Sequence, residues 1–143
     1  MTMTDKQVGP GRQYPAQSIT LASEAASVPA ARRILREACT AWGLDQGTAE
    51  TGALLLSELV TNAIRHGHSH RVRVIAEQPA PDRLHVAVVD KSRRMPEMHH
   101  AKPDAFGGRG LLLVDILSDR WGTDLLSCGK KVWAEIVIKG ADQ

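Results

Sequence analysis

An acidic and an amide side chain stand four residues apart in the segment SELVTNAIRHG, residues 57–67. If this segment is a helix, Glu58, Asn62 and Arg65 share a strip roughly 60° wide, because residues three and four apart lie on one face. A carboxamide oxygen can bind a hard cation such as Mg²⁺, and a nearby carboxylate can accept a proton from a hydroxyl group or water. The strip therefore indicates either a metal-assisted catalytic site or a solvated helix face.

Two further segments contain groups that suit a nucleotide. Asp90 ends the apolar run HVAVVD, where its carboxylate could accept a hydrogen bond from an exocyclic amine such as N6 of adenine. The segment GGRGL, residues 107–111, leads into an apolar helix whose first N–H groups and positive dipole end suit phosphate. Each segment also has a structural interpretation, because aspartate often begins turns and glycine clusters often form hinges.

The histidines at positions 66, 68 and 70 could bind Zn²⁺ if they lay on a strand, since alternate residues would then share one face. Gly67 and the apolar period before it indicate instead that a helix ends here and enters a loop. His66 would then lie one turn after Asn62, close to a bound nucleotide. We expect the helix end, and the zinc site is the alternative.

The elements that must position these residues follow from hydrophobic periodicity and from the residues that begin and end helices. The predicted elements are strand 17–23, helix 27–43, helix 46–66, strand 71–78, strand 83–90, helix 108–119, strand 120–127 and strand 131–140. Short turns are predicted at residues 79–82 and 128–130, and residues 91–107 form a long loop. This order predicts an α+β two-layer sandwich, with the helices on one face of a mixed, mainly antiparallel sheet.

Four residues are expected to fix the ends of the first two helices. Ser27 and Asp45 can each cap a helix N-terminus with a side-chain oxygen. Gly43 and Gly67 follow the last residues of the two apolar patterns and are expected to end the helices. The second of these helices, which carries the acidic and amide side chains, therefore has a signal at each end.

The composition suits one domain with an aliphatic core. The chain has 143 residues, of which 43% are hydrophobic but only 3% aromatic. Residues 1–15, rich in glycine, proline and glutamine, are expected to be a disordered tail, and residues 16–140 the folded domain. The chain has no secretory h-region and no apolar run long enough to span a membrane, so we expect a cytoplasmic protein with two free cysteines, Cys39 and Cys128.

Nucleic-acid binding is an interpretation that the charge disfavours. The formal net charge is only +2, whereas proteins that bind nucleic acid through its phosphates usually carry a strongly basic face. The arginines that could support such binding are Arg32, Arg33, Arg36, Arg71 and Arg73. We therefore expect no direct contact with nucleic acid.

Taken in order, the three motifs resemble the ATP-binding fold shared by gyrase, histidine kinases and MutL. Within that fold they are most similar to the stand-alone anti-sigma-factor serine kinases, the small regulators abundant in actinobacteria. LLLSELVTNAIRHG looks like the N box of this family, VAVVDKSRRMP like its first glycine-box region, and GGRGLLLVDILSDRWGT like its second. The resemblance extends over residues 16–139 and implies a Bergerat-type ATP-binding domain.

The resemblance implies a role for each matching position. It makes Asn62 the ligand of a Mg²⁺ ion that bridges the ATP phosphates, Glu58 the general base of phosphoryl transfer, and Asp90 the residue that reads adenine. Residues 91–107 would form the lid. The other nucleotide-contacting residues that we predict are Arg65, His66, Gly108, Arg109, Gly110 and Leu111.

One departure from the family's pattern lies directly after Asp90. The usual motif is D-x-G-x-G, but here the aspartate is followed by KSRR, which contains no glycine. The segment DKSRRMP is similar to a D-x-S-x-x-x-P form found in some actinobacterial members. Because the aspartate is kept, reading of adenine remains the expectation.

The function that the resemblance implies is partner switching. The protein would bind ATP and Mg²⁺, sequester a sigma factor, and phosphorylate an anti-anti-sigma antagonist on serine. The resemblance also implies a homodimer. The main alternative is a catalytically silent module of the same fold, which binds ATP and partners but transfers no phosphate.

Overall fold

The computed structural model of the chain describes residues 16–67, 69–91 and 106–138, with the backbone alone for residues 106–111. Its elements, in chain order, are β1 (Gln17–Ala22), α1 (Ser27–Ala41), α2 (Gln46–His66), β2 (Arg71–Ala80), β3 (Arg83–Asp90), α3 (Phe106–Leu117), β4 (Arg120–Leu126) and β5 (Gly129–Val137). The predicted order of helices and strands is confirmed. The predicted tail and most of the predicted long loop lie outside the described residues.

The five strands form one sheet in the order β1-β2-β3-β5-β4. Every pairing within it is antiparallel, so the sheet of the described residues is not mixed as predicted. β3 lies between β2 and β5, which agrees with its nearly continuous apolar sequence. The predicted two-layer α+β architecture is confirmed, and the end of β3 is placed beside the start of β5.

The core between the helices and the sheet is aliphatic, as the composition predicts. Its largest fully buried side chains are Leu35, Leu55, Leu56, Leu59, Val60, Val72, Val74, Leu84, Val86, Val88 and Val114. α2 is the central helix, since it packs against α1, α3 and the sheet. Contacts on several sides hold α2 firmly, and this fixes the position of the polar residues near its end.

The predicted cap at the start of α2 is confirmed, and the one at the start of α1 is wrong. The carboxylate of Asp45 accepts hydrogen bonds from the backbone N–H and the hydroxyl of Thr48, at 2.9 and 2.6 Å. These bonds lower the pKa of Asp45. Ser27 instead is the first helical residue, and its hydroxyl donates to the carbonyl of Ala22 at 2.6 Å. It therefore fastens the end of β1 to α1.

Several predicted boundaries shift in the structure. α1 ends at Ala41, two residues before Gly43, and α3 and β5 end at Leu117 and Val137. β2 continues to Ala80, because an irregularity in its register with β3 accommodates Pro79 inside the strand. α3 begins at Phe106, two residues earlier than predicted. β5 begins at Gly129 and includes Lys130, both of which the sequence placed in the turn before the strand.

The two cysteines differ in their burial. Cys39 is buried in the core and Cys128 is exposed, and both are free, as predicted. Burial, with a contribution from the nearby Asp45, raises the pKa of Cys39 to about 11, so its thiol is unreactive at neutral pH.

In the described part of the chain, none of the helices combines the length and the apolar character needed to cross a bilayer.

Candidate functional site

The end of α2 and the adjacent ends of β3 and β5 enclose a narrow cleft. Its lining residues are Leu59, Asn62, Ala63, His66, Gly67, Val88, Asp90, Lys130 and Val132. Its volume is about 10 Å³, enough for one water molecule. Three of the residues singled out from the sequence, Asn62, His66 and Asp90, therefore come together in one place.

Asn62 carries an unsatisfied polar atom inside this cleft. The residue is only 7% exposed, and its Oδ1 has no hydrogen-bond donor among the described residues. Leaving a buried acceptor unpaired costs free energy, so such an atom calls for a ligand. A carboxamide oxygen is a suitable ligand for a hard cation such as Mg²⁺, which also keeps water or phosphate oxygens in its shell. The residue present here fits that ion.

Gly67 allows the end of α2 to approach the end of β3. Its φ of −86° is ordinary, so the helix does not end in the left-handed conformation that glycine often supplies. A Cβ atom there would lie 2.6 Å from the carbonyl oxygen of Ala63 and 3.6 Å from Cγ of Asp90. The prediction that Gly67 ends the helix is confirmed, but the reason is close packing.

Asp90 forms a buried ion pair with Lys130, which the sequence did not single out. Nζ of Lys130 lies 3.2 and 3.4 Å from the two carboxylate oxygens. The side chains are only 6% and 1% accessible to solvent, respectively. The carboxylate of Asp90 is therefore enclosed by the protein and paired with a cation. Lys130 was missed because it was assigned to a turn, and its position opposite Asp90 depends on the register between β3 and β5.

The other predicted site residues lie outside the cleft lining. Glu58, one turn before Asn62 on α2, is half-buried, whereas Arg65 is exposed. Burial raises the pKa of Glu58, and the charge of Arg32 on α1 partly offsets this. The glycine-rich run forms the first turns of α3 and does not precede it. The free N–H groups at the start of this helix therefore belong to that run, where Gly108, Arg109, Gly110 and Leu111 were predicted.

This geometry agrees with a comparison against known protein families. Residues 21–135 match the family described as the histidine kinase-like ATPase domain. The chain belongs to this family. Membership implies that this histidine kinase-like ATPase domain binds ATP. The roles of individual residues remain predictions.

The solved structures that are similar to this histidine kinase-like ATPase domain include two bacterial examples. One contains the RsbU and RsbW domains of Rv1364c from Mycobacterium tuberculosis, with 17% identity and a TM-score of 0.66; the match covers 87% of this chain and 32% of that one. This match shows a shared fold. The other is the histidine kinase domain of the blue-light activated histidine kinase from Erythrobacter litoralis EL346, with 29% identity and a TM-score of 0.46. This second match covers 64% of this chain and 45% of that one. No curated protein sequence matches the chain.

The zinc alternative finds no support in the described part of this histidine kinase-like ATPase domain. Nowhere in residues 16–67, 69–91 and 106–138 do three His, Cys, Asp or Glu side chains come together to hold a metal ion. The middle histidine of the predicted group, His68, lies outside these residues. His66 belongs to the last turn of α2 and lines the cleft, as the prediction of a helix end requires.

Glu58 should make the stability of the domain depend on pH. Its folded-state pKa is raised, so its contribution to stability is fully present at low pH and is lost as the pH rises through that pKa. Glu58→Gln does not titrate and should escape this loss. We expect the variant to have the higher free energy of unfolding at pH 7, and the difference to shrink towards pH 4, in urea titrations. A variant that is less stable than the wild type at pH 7 would contradict this.

Proposed function

We propose that this histidine kinase-like ATPase domain binds Mg²⁺ and ATP at the cleft and acts as an anti-sigma regulatory kinase. The observation that carries the proposal is the buried, unpartnered carboxamide oxygen of Asn62, which shares the cleft with Asp90. One residue supplies a metal ligand and the other an acceptor for a base amine. Membership in the ATPase family supports the same assignment.

Each side chain would have a separate task. Asn62 would hold Mg²⁺ through Oδ1, and the bound ion would neutralise phosphate charge. Asp90 would accept a hydrogen bond from the exocyclic amine of adenine. The backbone N–H groups in the first turn of α3, from Phe106 to Arg109, would donate to phosphate oxygens, where the helix dipole also favours negative charge.

Glu58 would receive the proton of the attacking serine hydroxyl on its carboxylate. Its half-buried position raises its pKa, which makes it a stronger base than an ordinary surface glutamate. The nearby charge of Arg32 favours the ionised form that a base requires. The residue lies one helical turn from the proposed metal ligand, on the same face of α2.

The proposed partners are a sigma factor and an anti-anti-sigma antagonist. The sequence resemblance to anti-sigma-factor serine kinases supports both partners, and it also supports a homodimer. We place this complex in the cytoplasm. Phosphorylation would add nearly two negative charges to the serine of the antagonist. Added charge of that size releases a partner from an interface that holds other acidic groups. The kinase reaction would thereby decide which partner is bound.

The test is phosphate transfer from labelled ATP to purified antagonist domains from the same organism. Glu58→Gln should lower the transfer rate by about 10²- to 10⁴-fold, the usual contribution of a general base, and leave the affinity for ATP within about threefold of the wild type. Glu50→Gln, an exposed glutamate on the same helix, is the matched control and should transfer normally. Unchanged transfer by Glu58→Gln would remove this residue from the role of base.

A second candidate function is a catalytically silent ATP-binding interaction module. Two observations favour it: Glu58 is absent from the residues that line the cleft, and the KSRR run directly after Asp90 contains no glycine. ATP would then serve only to order the partner-binding state. Tight ATP binding by the wild-type protein, with no transfer to any antagonist tested, would select this function over the kinase.

A further inference from the structure

We propose that Lys130 is a second base-reading residue, which donates a hydrogen bond to N1 of adenine while Asp90 accepts one from N6. The inference rests on the proposed function, because it requires the base of ATP to bind at the cleft described above. It assigns a ligand contact to a residue on β5, a strand in which the sequence indicated no site residue. It also predicts which part of the base the protein recognises.

The sheet places the two side chains side by side. In the antiparallel pairing of β3 with β5, Asp90 is directly opposite Lys130. Nζ of Lys130 lies 3.2 and 3.4 Å from the two carboxylate oxygens, and both residues line the same cleft. One positive donor and one negative acceptor are therefore adjacent within a single small space.

Packing alone does not account for this pair. The positions two residues away on each strand, Val88 and Val132, face the same side of the sheet and are filled by apolar side chains. Removing two charges from water is costly, and a buried ion pair is often no more stabilising than apolar residues of similar volume. Lys131, the next residue, points to the other face of the sheet and is paired with Val89 on β3 and Asp124 on β4. The buried lysine therefore has an environment that its neighbour lacks.

The chemistry of the pair is complementary to the edge of adenine. A carboxylate only accepts hydrogen bonds and an ammonium group only donates them. Adenine presents a donor, the N6 amine, next to an acceptor, N1. Guanine presents three groups along the same edge, including the additional 2-amino group.

The first experiment changes the ligand and leaves the protein intact. Binding of ATP, 1-deaza-ATP and 7-deaza-ATP to the wild-type protein is measured by calorimetry in the presence of Mg²⁺. The 1-deaza compound lacks the N1 acceptor and should bind at least about 10-fold more weakly than ATP, the usual effect of a hydrogen bond to a charged group. The 7-deaza compound keeps the recognised edge and should bind within about threefold of ATP.

The second experiment changes the protein. Lys130→Met should weaken ATP binding about 10-fold and remove the difference between ATP and 1-deaza-ATP. Lys131→Met, on the opposite face of the same strand, should keep both properties. Lys130→Met leaves Asp90 buried without this cation, so the variant can lose stability. If it does not fold, the comparison of ATP with 1-deaza-ATP and 7-deaza-ATP on the wild-type protein decides whether N1 is recognised.

Three results would overturn the inference, and they differ in their consequence for the proposed function. Equal affinity of the wild-type protein for ATP and 1-deaza-ATP would make Lys130 a counter-ion only, and the proposed function would stand. Tighter binding of GTP than of ATP would show that the protein recognises guanine and not adenine. No binding of ATP at millimolar concentration would remove both the inference and the proposed function.

Discussion

Asn62→Ala is expected to abolish the magnesium-dependent part of ATP binding. The substitution removes a buried oxygen that has no donor among the described residues and that lines the cleft, which is the proposed metal ligand. Loss of a residue that merely orients a metal ligand typically costs 10- to 100-fold, so loss of the ligand itself should weaken Mg²⁺-dependent binding by about 100-fold or more. Calorimetric titrations of ATP, with Mg²⁺ and with a chelator, measure the effect.

Two variants separate the ligand role of Asn62 from packing. Asn62→Asp keeps an oxygen at the same place and should retain Mg²⁺-dependent binding. Thr61→Ala changes the adjacent residue of α2, outside the cleft lining, and should behave as the wild type. If Asn62→Ala binds ATP equally well with and without Mg²⁺, and as tightly as the wild type does with Mg²⁺, the metal site is elsewhere.

Gly129→Ala is expected to be among the most destabilising single substitutions in the domain. Gly129 has a φ of +155°, a conformation that is almost restricted to glycine. A Cβ atom at this position would lie 2.1 Å from the carbonyl oxygen of Asp90, which is a backbone atom and cannot rotate away. Backbone strain of 1–3 kcal/mol together with this overlap should lower the free energy of unfolding by about 3 kcal/mol or more.

The measurement for Gly129→Ala is a urea titration or a thermal melt, with a decrease in Tm on the order of 10 °C. Gly43→Ala is the control. Gly43 also has a positive φ, +73°, but no atom lies within 4 Å of the added Cβ. Its loss should be limited to about 1 kcal/mol, the cost of the left-handed conformation. Equal losses in the two variants would show that the contact with Asp90 contributes nothing.

The helix that carries the site could be predicted because its signals are local. Asp45, the apolar period and Gly67 all belong to one continuous segment, and each was identified without knowledge of the rest of the chain. The polar strip could be predicted in the same way, since Glu58 and Asn62 lie one turn apart. The position of Asp90 at a strand end likewise follows from the apolar run before it.

The missing part of the site depends on pairing between distant segments. Lys130 reaches Asp90 only through the register of β3 with β5, and no pattern near residue 130 reveals that register. The sequence CGK predicts a turn at residues 128–130, because glycine is typical of turns, whereas Gly129 begins β5. The wrong cap at Ser27 has a similar origin, since its hydroxyl bonds to the preceding strand and not to its own helix.

The order of the strands has a consequence for the folding of the domain. β5 pairs with β3, although α3 and β4 lie between them along the chain. Pairings between segments far apart in sequence form slowly, because the intervening chain must lose its freedom first. Lys130 forms one wall of the cleft, and this wall is therefore completed late in folding. During translation it cannot form until β5, the last described strand, has left the ribosome. ATP can stabilise the finished domain, but it cannot guide the steps that precede the docking of β5.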